Sequence, residues 1–145
     1  MSEVITVPFS CLILYYREIG IHRNRRWGFR DIFGFRTLQG LPFIKLADKV
    51  KHAYEGRDVP SHEGWSAQRE ALKWFIDKGR DEIYALEAKG IKIADKGREG
   101  IYAHESKRVK IRRLSTRSYY LIEGNHRALA LYVLGDNEIR ASVKH

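Results

Sequence analysis

A single cysteine, Cys11, stands in 145 residues, which excludes an internal disulfide framework and fits a reducing compartment. No run of eighteen apolar residues exists, so no membrane-spanning helix is expected. The start of the chain lacks the basic residues and small-residue cleavage site of a signal peptide, and the expected location is cytoplasmic. Asparagine and glutamine are scarce, three and two residues, a bias shared with thermophilic proteins. There is no internal repeat, no low-complexity tract and no Gly-rich P-loop; Gly97 and Gly100 mark only a charged turn. His62 and Glu63, with His52 upstream, match no zinc spacing, so no metal site is assigned. His22 and His104, among polar neighbours, read as surface residues.

What is abundant is positive charge. Lys and Arg number 27 against 18 Asp and Glu, a net charge of +9. The charge is clustered. Arg17, Arg23, Arg25, Arg26, Arg30 and Arg36 face only Glu18 and Asp31 within 17–36, interleaved with Tyr15, Tyr16, Trp27, Phe29, Phe33 and Phe35. Arginine beside aromatics suits phosphate contact together with base stacking. A second cluster, Lys107, Arg108, Lys110, Arg112, Arg113 and Arg117, contains no acid. Such patches attract polyanions. Arg23, Arg25, Arg26, Arg30, Arg108, Lys110, Arg112 and Arg113 are therefore the candidate nucleic-acid contacts.

Length and a hydrophobic content of 43% predict one folded domain over 1–145. It divides into a basic aromatic arm (1–40), a helical part (41–90) and a β-β-α-β region (105–145). Val4 to Tyr16 is apolar and reads equally as strand or helix. Within it Cys11 is expected to be a small buried residue. Residues 20–40, with four glycines, read as a loop-rich arm ordered by its aromatics. Phe43, Leu46, Ala47, Val50 and Tyr54 recur at helical spacing, with Pro42 suited to the first turn and Gly56 placed to stop it. A second helical region runs from Trp65 to Lys89, with Gly79 as a break and Gly90 as its end.

In the last third the period becomes two. Arg108, Lys110 and Arg112 alternate with Val109 and Ile111; Ser115 to Ser118 reads as a hairpin turn, and Tyr119 to Glu123 as the returning strand. A helix over 125–134, capped by Gly135, then leads to a strand in which Ile139, Ala141 and Val143 alternate with polar residues. Strand–helix–strand with this crossover predicts a parallel pair and a right-handed connection. The fold class is therefore α+β, α/β-like, with a small mixed sheet and the helices packed on it.

The junction at 123–127 is the strongest local signal. A strand runs into Gly124, and Asn125, His126 and Arg127 open an apolar helix. The first turn of a helix offers unpaired N–H groups and a positive dipole end, which hold an anion. Gly124, Asn125, His126 and Arg127 are the candidate phosphate-binding residues, Arg127 expected to be exposed and the strongest contact, Asn125 to cap the helix. Glu123-Gly124-Asn125-His126-Arg127, followed by Ala128 and Ala130 and closed by Leu134-Gly135, resembles the signature of the ParB/sulfiredoxin superfamily. Its members carry Gly-Glu-Arg-Arg in ParB proteins, Gly-Gly-Cys-His-Arg in sulfiredoxins and Asp-Gly-His-His-Arg in related free-serine kinases.

The match covers roughly 107–145 and implies a ParB/sulfiredoxin-like fold in which this turn binds the phosphates of a nucleotide or nucleic acid. Asn125 stands where sulfiredoxin chemistry needs its cysteine, which argues against that activity, and Asn-His replaces the Glu-Arg of the ParB form. The kinase form is nearest in letters. The implied function is DNA or RNA binding in partition, regulation or nucleic-acid processing, with nuclease or nucleotide-hydrolysing activity among the implied chemistries. The alternatives are a phosphotransferase using a nucleotide with Mg2+, Glu123 or His126 assisting proton transfer, and a basic adaptor for an acidic protein. The implied partners are nucleic acid and a nucleotide, with a homodimer as a further candidate and no membrane.

Overall fold

The computed structural model describes residues 3–14, 27–35, 38–89 and 109–144, the side chains of 86–89 excepted. Arg17, Arg23, Arg25, Arg26, Arg36 and Arg108, together with Tyr15, Tyr16, His22, Gly90, Gly97, Gly100 and His104, lie outside the described residues. Within them the protein is α+β: one six-stranded mixed sheet and five helices. The strands are β1 (Glu3–Pro8), β2 (Leu12–Leu14), β3 (Leu41–Pro42), β4 (Lys110–Ser115), β5 (Ser118–Glu123) and β6 (Glu138–Val143). The helices are α1 (Phe29–Ile32), α2 (Phe43–Tyr54), α3 (Trp65–Lys78), α4 (Arg80–Lys89) and α5 (Asn125–Val133).

The N-terminal apolar stretch is strand, interrupted at Pro8 by a single 3-10 turn, Phe9–Cys11. Cys11 in that turn is half-buried. The sheet order β1-β6-β4-β5-β2-β3 places three strands between β1 and β2. In a flat sheet those two would lie about 19 Å apart. The chain from Pro8 to Leu12 reaches at most about 14 Å. The sheet must therefore roll until β1 and β2 approach, and Phe9 bridges the turn by donating its N–H to the Asn137 carbonyl at 3.0 Å.

The helical spacing in 43–54 holds at Phe43, Leu46, Ala47 and Val50, which are buried with Ala53, while Tyr54 is half-buried at the edge of the core. Pro42 sits one position earlier than expected, as the N-cap residue, and a Schellman pair of hydrogen bonds, Arg57 N–H to His52 O and Gly56 N–H to Ala53 O, closes the C-terminus. Gly79 divides the second helical region into α3 and α4. The arm is less loop-like than expected at its described end: α1 buries Phe29 and Ile32 in the core.

The expected parallel pair needs correction. β5 and β6 are not neighbours; β6 pairs parallel with β4, and β5 pairs parallel with β2. The reason is occupancy: β2 covers the outer edge of β5, so the crossover through α5 delivers β6 to the remaining edge of β4. Helix α5 lies inside the domain, packed against α2, α3 and β6. Its central residues Ala128, Leu129, Ala130 and Leu131 are buried on all sides, as a helix enclosed by neighbours requires.

Candidate functional site

The Gly124 turn is built as a strand-to-helix junction. Gly124 adopts φ +95° and ψ 32°, the left-handed conformation that disfavours any side chain. A Cβ there would also lie 2.8 Å from Val109 Cγ2, so the close approach at this glycine is to the strand leading into β4. No side chain caps α5, which corrects the expectation for Asn125: it is exposed, and Gly124 is the N-cap residue.

Arg127 is not exposed. It is 0% accessible and the largest of the fully buried side chains. The helical spacing gives the reason: Arg127, Ala130 and Leu131 fall on one stripe, and that stripe faces the interior. His126 points inward as well. Its Nε2 lies 2.6 Å from Gln68 Oε1 on α3, and its ring meets Phe29 edge-on at 5.2 Å and stacks with Phe75 at 6.4 Å. The Gln68 amide nitrogen donates to the Trp27 carbonyl at 2.6 Å, so the amide oxygen accepts and His126 Nε2 carries a proton. Trp27 in turn donates from Nε1 to Glu63 at 2.9 Å, packs edge-on to His62 and lies against Gly64, where a Cβ would come within 2.6 Å of its own. Gln68, Trp27 and Phe29 were not legible as partners of the turn, because nothing in the local sequence links His126 to a residue 58 positions away.

Glu123 closes β5, half-exposed, with Lys110 Nζ 3.4 Å from its carboxylate. An ion pair this open adds little stability. Glu123 and His126, the candidate proton-transfer residues, are thus held by Lys110 and Gln68 respectively. Arg30, a candidate nucleic-acid contact, donates from Nε and Nη2 to the Phe35 carbonyl at 3.3 and 3.2 Å and closes the loop after α1.

The remaining candidates converge on the β4–β5 hairpin. Residues Arg112, Arg113, Leu114, Ser115, Thr116 and Arg117 are all exposed. The tip is locked: Ser115 and Ser118 hydroxyls are 2.5 Å apart, and the Arg117 N–H donates to Ser115 Oγ at 3.3 Å. Arg113 lies over the Tyr119 ring across the ladder at 5.5 Å, while Ile111 and Leu121 anchor the base in the core. No Asp or Glu occurs between Lys110 and Ile122. From Arg112 to Arg117 the hairpin is exposed and its charges are all positive.

A cleft of about 570 Å³ lies at the other end of α5, lined by Thr6, Arg80, Tyr84, Asp136, Asn137 and Arg140 among others. Two of its charges pair. Arg80 grips Asp136 with two nitrogens, which raises the guanidinium pKa further, and Arg140 stacks on Tyr84 at 4.5 Å. No helix among the described residues is long and apolar enough to cross a membrane, and no group of three metal-ligating side chains gathers among them. No family model, curated protein or solved structure matches the chain.

Proposed function

We propose that this chain is a nucleic-acid-binding protein of the ParB/sulfiredoxin kind that engages the polyanion through its β4–β5 hairpin. The observation that carries the reading is the clustering of Arg112, Arg113 and Arg117 on an exposed hairpin without a carboxylate between Lys110 and Ile122. Guanidinium groups held on a stiff element neutralise phosphates at small entropic cost. The phosphotransferase reading has less support, because the side chains it needs at 123–127 are engaged by Lys110 and Gln68 or buried with Arg127.

The test is anisotropy titration of a labelled mixed-sequence DNA duplex over a series of NaCl concentrations. Each phosphate that the protein neutralises adds about −0.9 to the log–log slope, so affinity falls as salt rises. Absence of binding to any nucleic acid at low salt rejects the function.

A further inference from the structure

Resting on the nucleic-acid reading above, we infer that the β4–β5 hairpin is a two-stranded reader that enters the major groove of B-form duplex DNA. The pairing pattern makes it a projection. Among the described residues, β6 pairs with β4 at Lys110 and Ile111 only, and β2 with β5 at Tyr119, Tyr120 and Leu121 only. Beyond Ile111 no described strand borders the outer edge of β4, and the tip from Leu114 to Ser118 stands clear of described strands on both sides.

The dimensions suit the groove. The part flanked by no described strand on either side, Leu114 to Ser118, advances about 7 Å beyond the Arg113–Tyr119 pair, and its two strands lie about 4.8 Å apart. The B-form major groove is about 8.5 Å deep and 12 Å wide, and it admits a two-stranded ribbon. With the exposed Arg117 side chain extended from it, the tip spans a groove of that depth.

Chemistry points the same way. Arginine donates two parallel hydrogen bonds to guanine O6 and N7, which the exposed Arg112 and Arg117 can supply. Leu114, 46% exposed at the same tip, offers an apolar contact to a thymine methyl. The same charges flank the free edge of β4 and oppose its pairing with another strand.

The two other nucleic-acid forms fit less well. The major groove of an A-form RNA helix is too deep and narrow for side chains to read. A single strand stacks its bases on open aromatic faces, and on the hairpin itself one face of Tyr119 is taken by the Arg113 guanidinium. Duplex DNA is the form the hairpin matches in shape, charge and exposed chemistry.

Three measurements test this on the full chain. Anisotropy titrations with one mixed sequence prepared as DNA duplex, RNA duplex and single-stranded DNA should give the DNA duplex an advantage of about tenfold or more. Dimethyl sulfate footprinting should show guanine N7 protected, because N7 lies in the major groove. The double variant Arg112→Ala/Arg117→Ala should bind the duplex roughly fivefold or more weakly for each arginine removed. Both side chains are exposed, so a thermal midpoint no lower than the parent's is expected and shows that the loss is one of contact. Equal affinity for the three nucleic acids, unprotected N7, or an unaffected variant would overturn the groove assignment while leaving nucleic-acid binding intact. Failure to bind any of the three at low salt removes both readings.

Discussion

Asn125 and Arg127 open the same helix and meet opposite environments. Asn125 is exposed and caps nothing, whereas Arg127 is enclosed on every side. Truncating a large buried side chain leaves a cavity that the surroundings fill only in part. Arg127→Ala should therefore cost about 2–4 kcal/mol of stability, and Asn125→Ala no more than about 0.5 kcal/mol. Urea unfolding of the two variants checks the pair; comparable losses would mean that the interior placement of Arg127 is wrong. The order reverses what the local sequence suggests. Three polar residues after a glycine announce a helix start, and that much is legible. Which of them turns inward depends on what packs on α5, and the packing partners, Gln68 and Phe75 on α3 and Phe29 on α1, come from distant parts of the chain. One signal was available: Arg127 continues the apolar stripe of Ala130 and Leu131 by three and four residues. Arg112 needed no such inference, because alternation with Val109 and Ile111 already directs it away from the core.

Between elements, the latch joining α5 to α2 has a pH signature. The Tyr132 hydroxyl donates to Asp48, and its ring packs edge-on to Phe9 and Phe43. Burial first, then the hydrogen bond to the Asp48 carboxylate, push its pKa up to about 12. A free tyrosine ionises near 10. A raised pKa means that the folded state favours the protonated phenol. The contribution is complete below about pH 10 and is lost as pH climbs through about 12. Tyr132→Phe should be less stable than the parent by about 1 kcal/mol at neutral pH, and the difference should shrink across the alkaline window. Denaturation of both proteins at a series of pH values measures it; a difference constant up to pH 12 would show that Asp48 does not hold this hydroxyl. At the same scale, helices α2 to α5 were legible from their periods and the hairpin from its turn residues. Sheet order was not. Period two identifies a strand and its inward face, but the neighbour of β6 was decided by β2 occupying the edge of β5, a competition between segments more than a hundred residues apart.

At the scale of the whole molecule, α5 is packed among α2, α3 and β6, and one hairpin extends beyond its described neighbours carrying part of a net charge of +9. Like charges repel one another in the folded state, and unfolding relieves that repulsion by spreading them apart. Salt screens the repulsion: the Debye length shortens from about 30 Å at 0.01 M to about 10 Å at 0.1 M. Over that range of NaCl the thermal midpoint should rise, while affinity for nucleic acid falls because released counterions gain less entropy. The opposed signs separate contact from fold. The hairpin variant obeys the same rule. Removing Arg112 and Arg117 takes away two positive charges that contribute to repulsion and bury nothing, so its midpoint at low salt should equal or exceed that of the parent even as its affinity drops. Parallel calorimetry and anisotropy titrations along one salt series read both quantities. A midpoint that declines together with affinity would mean that the charge cluster supports the fold, and the weakened binding would then report unfolding instead of lost phosphate and base contacts.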